Sequence, residues 1–279
     1  MKPHRAGEAI TVASPDATQH DVPAGPSAFA ALPRLDALLQ PAADEVIKAA
    51  AVVDGQRLLS VGAGPLPLLA ARRGAVVTAV DASQALLARR REEARDAGIP
   101  VTWSLTRPRS LAFEEATYEA SASAFDAMVS RRATRMAAEM FRVTRPGGMV
   151  VIAVWEPNEF TLEAAELLAA HRGGDVTDTQ PSAGLVLDVL APHFAALADD
   201  FHQRSIPLTL PVDSAAQLLE DLLLPGGPLA LANRFMEPGN RQACAAEVFR
   251  IARGHGSHFA GSWATALRCR VLSGRRPVT

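Results

Sequence analysis

Cysteine is nearly absent from this 279-residue chain: there are two, Cys244 and Cys269, and no C-x-x-C pair. A disulfide framework or a cysteine zinc site is therefore not expected, and a reducing, cytoplasmic location is. Excess charge is lacking too. A formal net charge of −2 gives no electrostatic basis for holding nucleic acid or an anionic membrane. The arginine runs ARRREEAR and SRRATR are broken by glutamates or apolar residues, and they read as solvated helix faces. No apolar run reaches the ~18–20 residues that a membrane span needs. The N-terminal stretch before Ser27 contains no apolar core of a secretory signal. The histidines also lack metal-ligand spacing: His255 and His258 stand three apart without a third ligand nearby, so no metal is expected.

What is present is apolar. Hydrophobic residues make up 48% of the chain, enough for a globular core. Residues 1–27, rich in Pro, Ala, Gly, Asp and His, read as a flexible arm. From Phe29 to Val53 the helical rhythm is interrupted at Pro41, which predicts a short helix, a turn and a longer helix. Short apolar runs then alternate with helical segments. RLLSV, AVVTAV, VTWSL, AFDAMVS and MVVIAVW read as five strands, and SQALLARRREEARDAG and ATRMAAEMFRVT as helices between them. This alternation predicts an α/β protein with a doubly wound, mostly parallel sheet. Beyond Trp155 the pattern is mainly helical, with RSIPLTLPV as a candidate strand and SWATALRCRVLSG as the closing one. Residues 28–279 thus read as one domain. Within it, 28–156 form a cofactor-binding core, 157–260 a helical substrate-binding insertion and 261–279 a closing strand.

The segment Leu58–Ser83, LLSVGAGPLPLLAARRGAVVTAVDAS, holds the chemistry. Gly62 and Gly64 lie on a strand-to-helix turn, where their backbone can pass close to a ligand. Asp81 ends the next strand nineteen residues after Gly62, which puts a carboxylate beside the turn, able to bind two ribose hydroxyls. Pro65 and Pro67 stand where a dinucleotide's pyrophosphate would need N–H donors and a close helix, so a nicotinamide cofactor is disfavoured.

With RLLSVGAGP, VTAVDAS, SLAF, AFDAMVSR and FRVTRPGGMVVIAVW in this order, the stretch from Phe29 to Trp155 resembles the class I S-adenosylmethionine-dependent methyltransferases. The resemblance implies a Rossmann-like sheet of seven strands with a helical substrate wall in the C-terminal half. It implies that Gly62, Ala63 and Gly64 lie against the methionine and ribose of the cofactor, and that Asp81 holds the ribose hydroxyls. Ala82 and Leu86 would flank the adenine, and Ser130 would stand near the sulfonium. Two positions depart from the family. Ser60 replaces an acid associated with the cofactor's ammonium, and Arg107 replaces an acid that caps the adenine amino group. Losing one such charged contact costs ~1.5–3 kcal/mol, or one to two decades of affinity.

An oxygen acceptor for the methyl group often needs a base. Among His171, His193, His202, His255 and His258, the last is ranked first because GHGSH is a glycine-rich loop before the closing strand. Glu156, leaving the fifth strand at the carboxyl edge of the sheet, is the second candidate. The expected function is methyl transfer from S-adenosylmethionine to a small molecule at O, N or C, with a natural-product tailoring step among the options. The alternatives are a methyltransferase-fold protein that uses the pocket for another reaction or for binding only, a nicotinamide-dependent oxidoreductase, and a non-catalytic scaffold. The oligomeric state is not read from the sequence, with which a homodimer is compatible.

Overall fold

The computed structural model describes residues 32–128, 133–171, 183–224, 227–230, 232, 236, 238–259 and 262–278. The arm assigned to residues 1–27 and the cofactor candidate Ser130 lie outside the described residues.

Helix α1 (Leu32–Ala49) runs unbroken through Pro41, where the sequence predicts a turn. Proline in a helix interior removes one hydrogen bond and costs roughly 3 kcal/mol. Leu35, Leu38, Leu39, Ala42, Ala43, Val46 and Ile47 form one continuous stripe of the core, and burying that stripe outweighs the defect.

Alternation follows as expected. Strand β1 (Arg57–Val61) leads through the glycine turn to α2 (Leu66–Arg72), then β2 (Val76–Asp81), α3 (Gln84–Asp96) and β3 (Val101–Leu105). Ser83 caps α3, its hydroxyl accepting from the Leu86 N–H at 3.2 Å. Next come β4 (Tyr118–Ala124), a 3₁₀ turn (Asp126–Met128), α4 (Ala133–Val143) and β5 (Thr144–Glu156). The fourth strand is therefore not AFDAMVS. It is the preceding YEASASA, with Tyr118, Ala120, Ser121, Ala122, Ser123 and Ala124 all buried. Alanine and serine are poor strand formers in isolation, but their small side chains suit a central strand covered on both faces.

The remaining elements are α5 (Glu159–Ala170), α6 (Ala183–Leu197), β6 (Asp199–Pro211), α7 (Ala215–Leu223), α8 (Arg241–His255), β7 (Ser257–Phe259) and β8 (Ser262–Arg275). The segment assigned as a helical insertion thus also supplies two strands. The sheet has eight strands in the order β3-β2-β1-β4-β5-β8-β6, with β7 paired to β8. Strands β1 to β5 are parallel, whereas β8 is antiparallel to β5, β6 and β7.

Register positions the site. Glu156, the last residue of β5, pairs with Arg268, so the earlier part of β8 runs on past the carboxyl end of the parallel strands. There it pairs with Leu208–Pro211 of β6 and with β7. The order of the strands reverses between β1 and β4, and the crevice of a doubly wound sheet opens at that point.

Candidate active site

At the carboxyl end of β1, Gly62 adopts φ +104°, a conformation that side-chain-bearing residues rarely adopt. A Cβ there would also stand 1.7 Å from Oδ2 of Asp126. Gly64 differs, because a Cβ on it would meet nothing within 4 Å and the space above it is open. Ser60, fully buried beneath the turn, donates its hydroxyl to the Gly62 carbonyl at 3.3 Å.

Asp81 ends β2 beside this turn. Its Oδ2 accepts from the Ala63 N–H at 3.0 Å and its Oδ1 from the Ser83 N–H at 2.7 Å. Burial pushes its carboxyl above the usual range, against the lowering effect of these backbone donors. Each oxygen retains a second lone pair for a further donor. The structure thus brings Gly62, Ala63, Gly64 and Asp81 together. Ala82 follows on the exposed side and Leu86 lies half-buried on the first turn of α3. Arg107 is exposed in the loop after β3, which is tied to Asp81 by the Thr106 N–H donating to the Asp81 carbonyl at 3.0 Å.

Two contributors were not identified from the sequence. Arg90, in the run read as a solvated face, is 2% exposed. Its Nε donates to the Ala63 carbonyl at 2.8 Å, while its guanidinium binds Asp36 of α1 through two bonds of 2.6 Å and Glu93 at 2.8 Å. Burial opposes the charge on Arg90, but Asp36 and Glu93 outweigh it and the pKa is raised. One side chain therefore ties α1 and α3 to the glycine turn. A buried arginine with three acceptors carries no sequence signal that separates it from its exposed neighbours.

The second is Asp126. Phe125, just before it, has φ +69°, a genuine outlier for a bulky residue. It is held there by its N–H donating to the Ala153 carbonyl at 2.8 Å and by its ring packing 4.3 Å from that of Trp155. The turn brings the Asp126 carboxylate over Gly62. Burial, and then the charge of Asp81, push this carboxyl well above the usual range. Its signal was present in the sequence as an acid inside an apolar run.

The two base candidates fare differently. Glu156 is held by Arg270, which donates from Nη2 at 2.6 Å and from Nε at 3.1 Å. Burial would raise its pKa, but the bonds from Arg270 prevail and lower it. Both its oxygens serve a structural ion pair. His258 lies on β7, exposed, its ring 4.8 Å from that of Trp263. Nearby His255 has its Nε2 2.8 Å from a Glu163 oxygen. Among the described residues no group of three or more His, Cys, Asp or Glu side chains could hold a metal ion, and no helix is long and apolar enough to cross a membrane.

Comparison with known proteins agrees with this geometry. Residues 59–148 match the methyltransferase domain family. A protein of Mycobacterium tuberculosis named only as uncharacterized is 33% identical over 125 residues, covering 44% of this chain and 46% of that one. Phosphatidylethanolamine N-methyltransferase of Cereibacter sphaeroides is 34% identical over 123 residues, 42% of this chain and 58% of that one. The matches thus span about half the length of these relatives. Among solved structures, the YcgJ protein of Bacillus subtilis superposes with a TM-score of 0.59 at 15% identity, over 85% of this chain and 99% of that one. The [4+2]-cyclase SpnF superposes at 0.53 with 19% identity, over 86% and 81% of the two chains. Sheet order and glycine turn thus accompany a methyltransferase-domain match over residues 59–148, within a chain that shares the fold of these solved structures.

Proposed function

We propose that the protein binds S-adenosylmethionine in the crevice between β1 and β4 and transfers its methyl group to a small-molecule acceptor. The observation that carries this reading is the Asp81 carboxylate, fixed at the mouth of the glycine turn by the Ala63 and Ser83 N–H groups. The cofactor fits the residues present. Asp81 keeps acceptor capacity for two ribose hydroxyls, the space at Gly64 is open, and Pro65 offers no N–H to a phosphate. Ala82 and Leu86 supply apolar surface on the side of α3 for the adenine, and Arg107 stands at the mouth of the crevice. When bound, the cofactor supplies an electrophilic methyl on a sulfonium.

The protein's own contribution is largely positioning, which can account for much of the acceleration of an in-line displacement. Rigidity of the turn comes from Arg90, which holds the Ala63 carbonyl while Asp81 holds the Ala63 N–H. On the acceptor side, the overhanging ends of β6, β7 and β8 offer His258 as a base to a hydroxyl acceptor. Glu156 is assigned to the ion pair with Arg270 and not to proton transfer. Acceptance at nitrogen is supported by a relative whose name describes N-methylation of phosphatidylethanolamine.

A second reading, binding without methyl transfer or a different reaction in the same pocket, is favoured by the neutral Ser60 and by the occurrence of this fold in a [4+2]-cyclase. Calorimetric titration with S-adenosylhomocysteine, with NAD as control, tests the cofactor. Micromolar or tighter binding of the former and none of the latter is expected. Absence of both, in folded and ligand-free protein, would remove the methyltransferase reading. If binding is found, radiolabelled methyl transfer to a panel of small hydroxyl and amine acceptors separates the two functions.

A further inference from the structure

The strained turn after β4 has a consequence for how the cofactor is held. Strand order places β2 on one side of β1 and β4 on the other. Asp81 therefore reaches the glycine turn from the β2 side and Asp126 from the β4 side, so the crevice has a carboxylate on each flank. They are not equivalent. Asp81 is committed to two backbone donors of the turn and of α3. Asp126 lies close enough to Gly62 that any side chain there would collide with it, and Asp81, a like charge, is its charged neighbour. A carboxylate held beside another, with the preceding residue kept at φ +69°, is costly to the free protein. That cost makes sense if a cation arrives. The adenosyl cofactor carries its cations on the methionine arm, at the end opposite the ribose hydroxyls and adenine. With the ribose at Asp81, that arm points toward β4.

We propose that Asp126, presented over Gly62 by the turn at Phe125, is the counter-charge for the α-ammonium group of the cofactor's methionine arm, where Ser60 supplies none. The assignment rests on the adenosyl-cofactor reading above and makes Asp126 a binding residue of that same site.

The test compares two ligands on two proteins. S-Adenosylhomocysteine carries the ammonium, whereas 5′-methylthioadenosine keeps the adenine and ribose and lacks it. In calorimetric titrations, Asp126→Asn should weaken S-adenosylhomocysteine about tenfold to a hundredfold, the worth of a charged hydrogen bond. Its affinity for 5′-methylthioadenosine should match that of the parent protein, which also reports that the turn and Asp81 remain intact. Equal losses for both ligands, or no loss for either, would overturn the assignment. Failure of the parent protein to bind either ligand would instead remove the cofactor reading itself, and the role of Asp126 with it.

Discussion

At the scale of single residues, the two glycines of the turn do different work. Gly62→Ala forces a Cβ into the Asp126 carboxylate at a backbone angle that suits glycine alone, so it should lower stability by more than ~1 kcal/mol. Gly64→Ala places its methyl in open space and should leave the unfolding midpoint nearly unchanged while reducing affinity for S-adenosylhomocysteine. Urea denaturation and calorimetry on the pair check this, and equal midpoints for the two variants would contradict it. Asp126 makes a second prediction. Its carboxyl is raised, so over part of the pH range the folded protein keeps a proton that the unfolded chain has released. Stability contributed at this group therefore declines as pH rises from about 4 through the raised value. In ligand-free protein Asp126→Asn should melt at a higher temperature than the parent at pH 7, with the gap closing toward pH 4. Asp221 is raised as well and remains in both proteins, so its contribution cancels and the difference between the two melting curves reports Asp126 together with its coupling to Asp81.

At the scale of elements, α1 and α3 are joined through one guanidinium. Arg90→Leu leaves Asp36 without its two bonds and the Ala63 carbonyl without its donor, a loss on the order of 3 kcal/mol for breaking a buried pair. Arg90→Lys keeps the charge but cannot serve Asp36 through a fork and Ala63 at once, so it should recover only part of that loss. Chemical denaturation of the three proteins gives the order, and a lysine variant as stable as the parent would show that the fork is dispensable. The elements also show what was legible. The helical spacing of α4, and the apolar runs of β1, β2 and β5, determine those elements directly. Helix α1 passes through Pro41 because its buried stripe is long, and a proline within a window says nothing of the surface it will meet. Strand β4 was misplaced because YEASASA carries no large apolar residue after Tyr118, while the adjacent AFDAMVS does. Its pairing with β1 and β5 on either side makes it a strand.

At the scale of the molecule, the core runs continuously from α1 to β8, and both cysteines lie within it. Burial pushes the Cys269 thiol up to about 12, with Glu156 and Glu45 adding to the effect, and burial raises Cys244 as well. Neither should react at neutral pH while the protein is folded. A chromogenic disulfide reagent is expected to modify both only as fast as the molecule opens, and within seconds in denaturant. Rapid labelling of the folded protein would contradict the packing. The sheet ends on β3 at one side and on β6 at the other. Pro207 and Pro211 lack an N–H to offer, which an outer strand tolerates and a central one does not.

The sequence by itself determined the parallel sheet, the glycine turn and the acid that faces it. These depend on periodicity and on spacing along one or two neighbouring elements, and such signals survive in a linear string. The tertiary structure decided the rest. Arg90 became a brace because α1 and α3 close over it, and Glu156 became half of an ion pair because β8 brings Arg270 alongside. Asp126 entered the site because β4 ends earlier than its apolar neighbours suggest, and the chain then turns back over Gly62. In each case the partner is distant in the chain, and the energy that fixes the pair exists only once the core has removed the water between them.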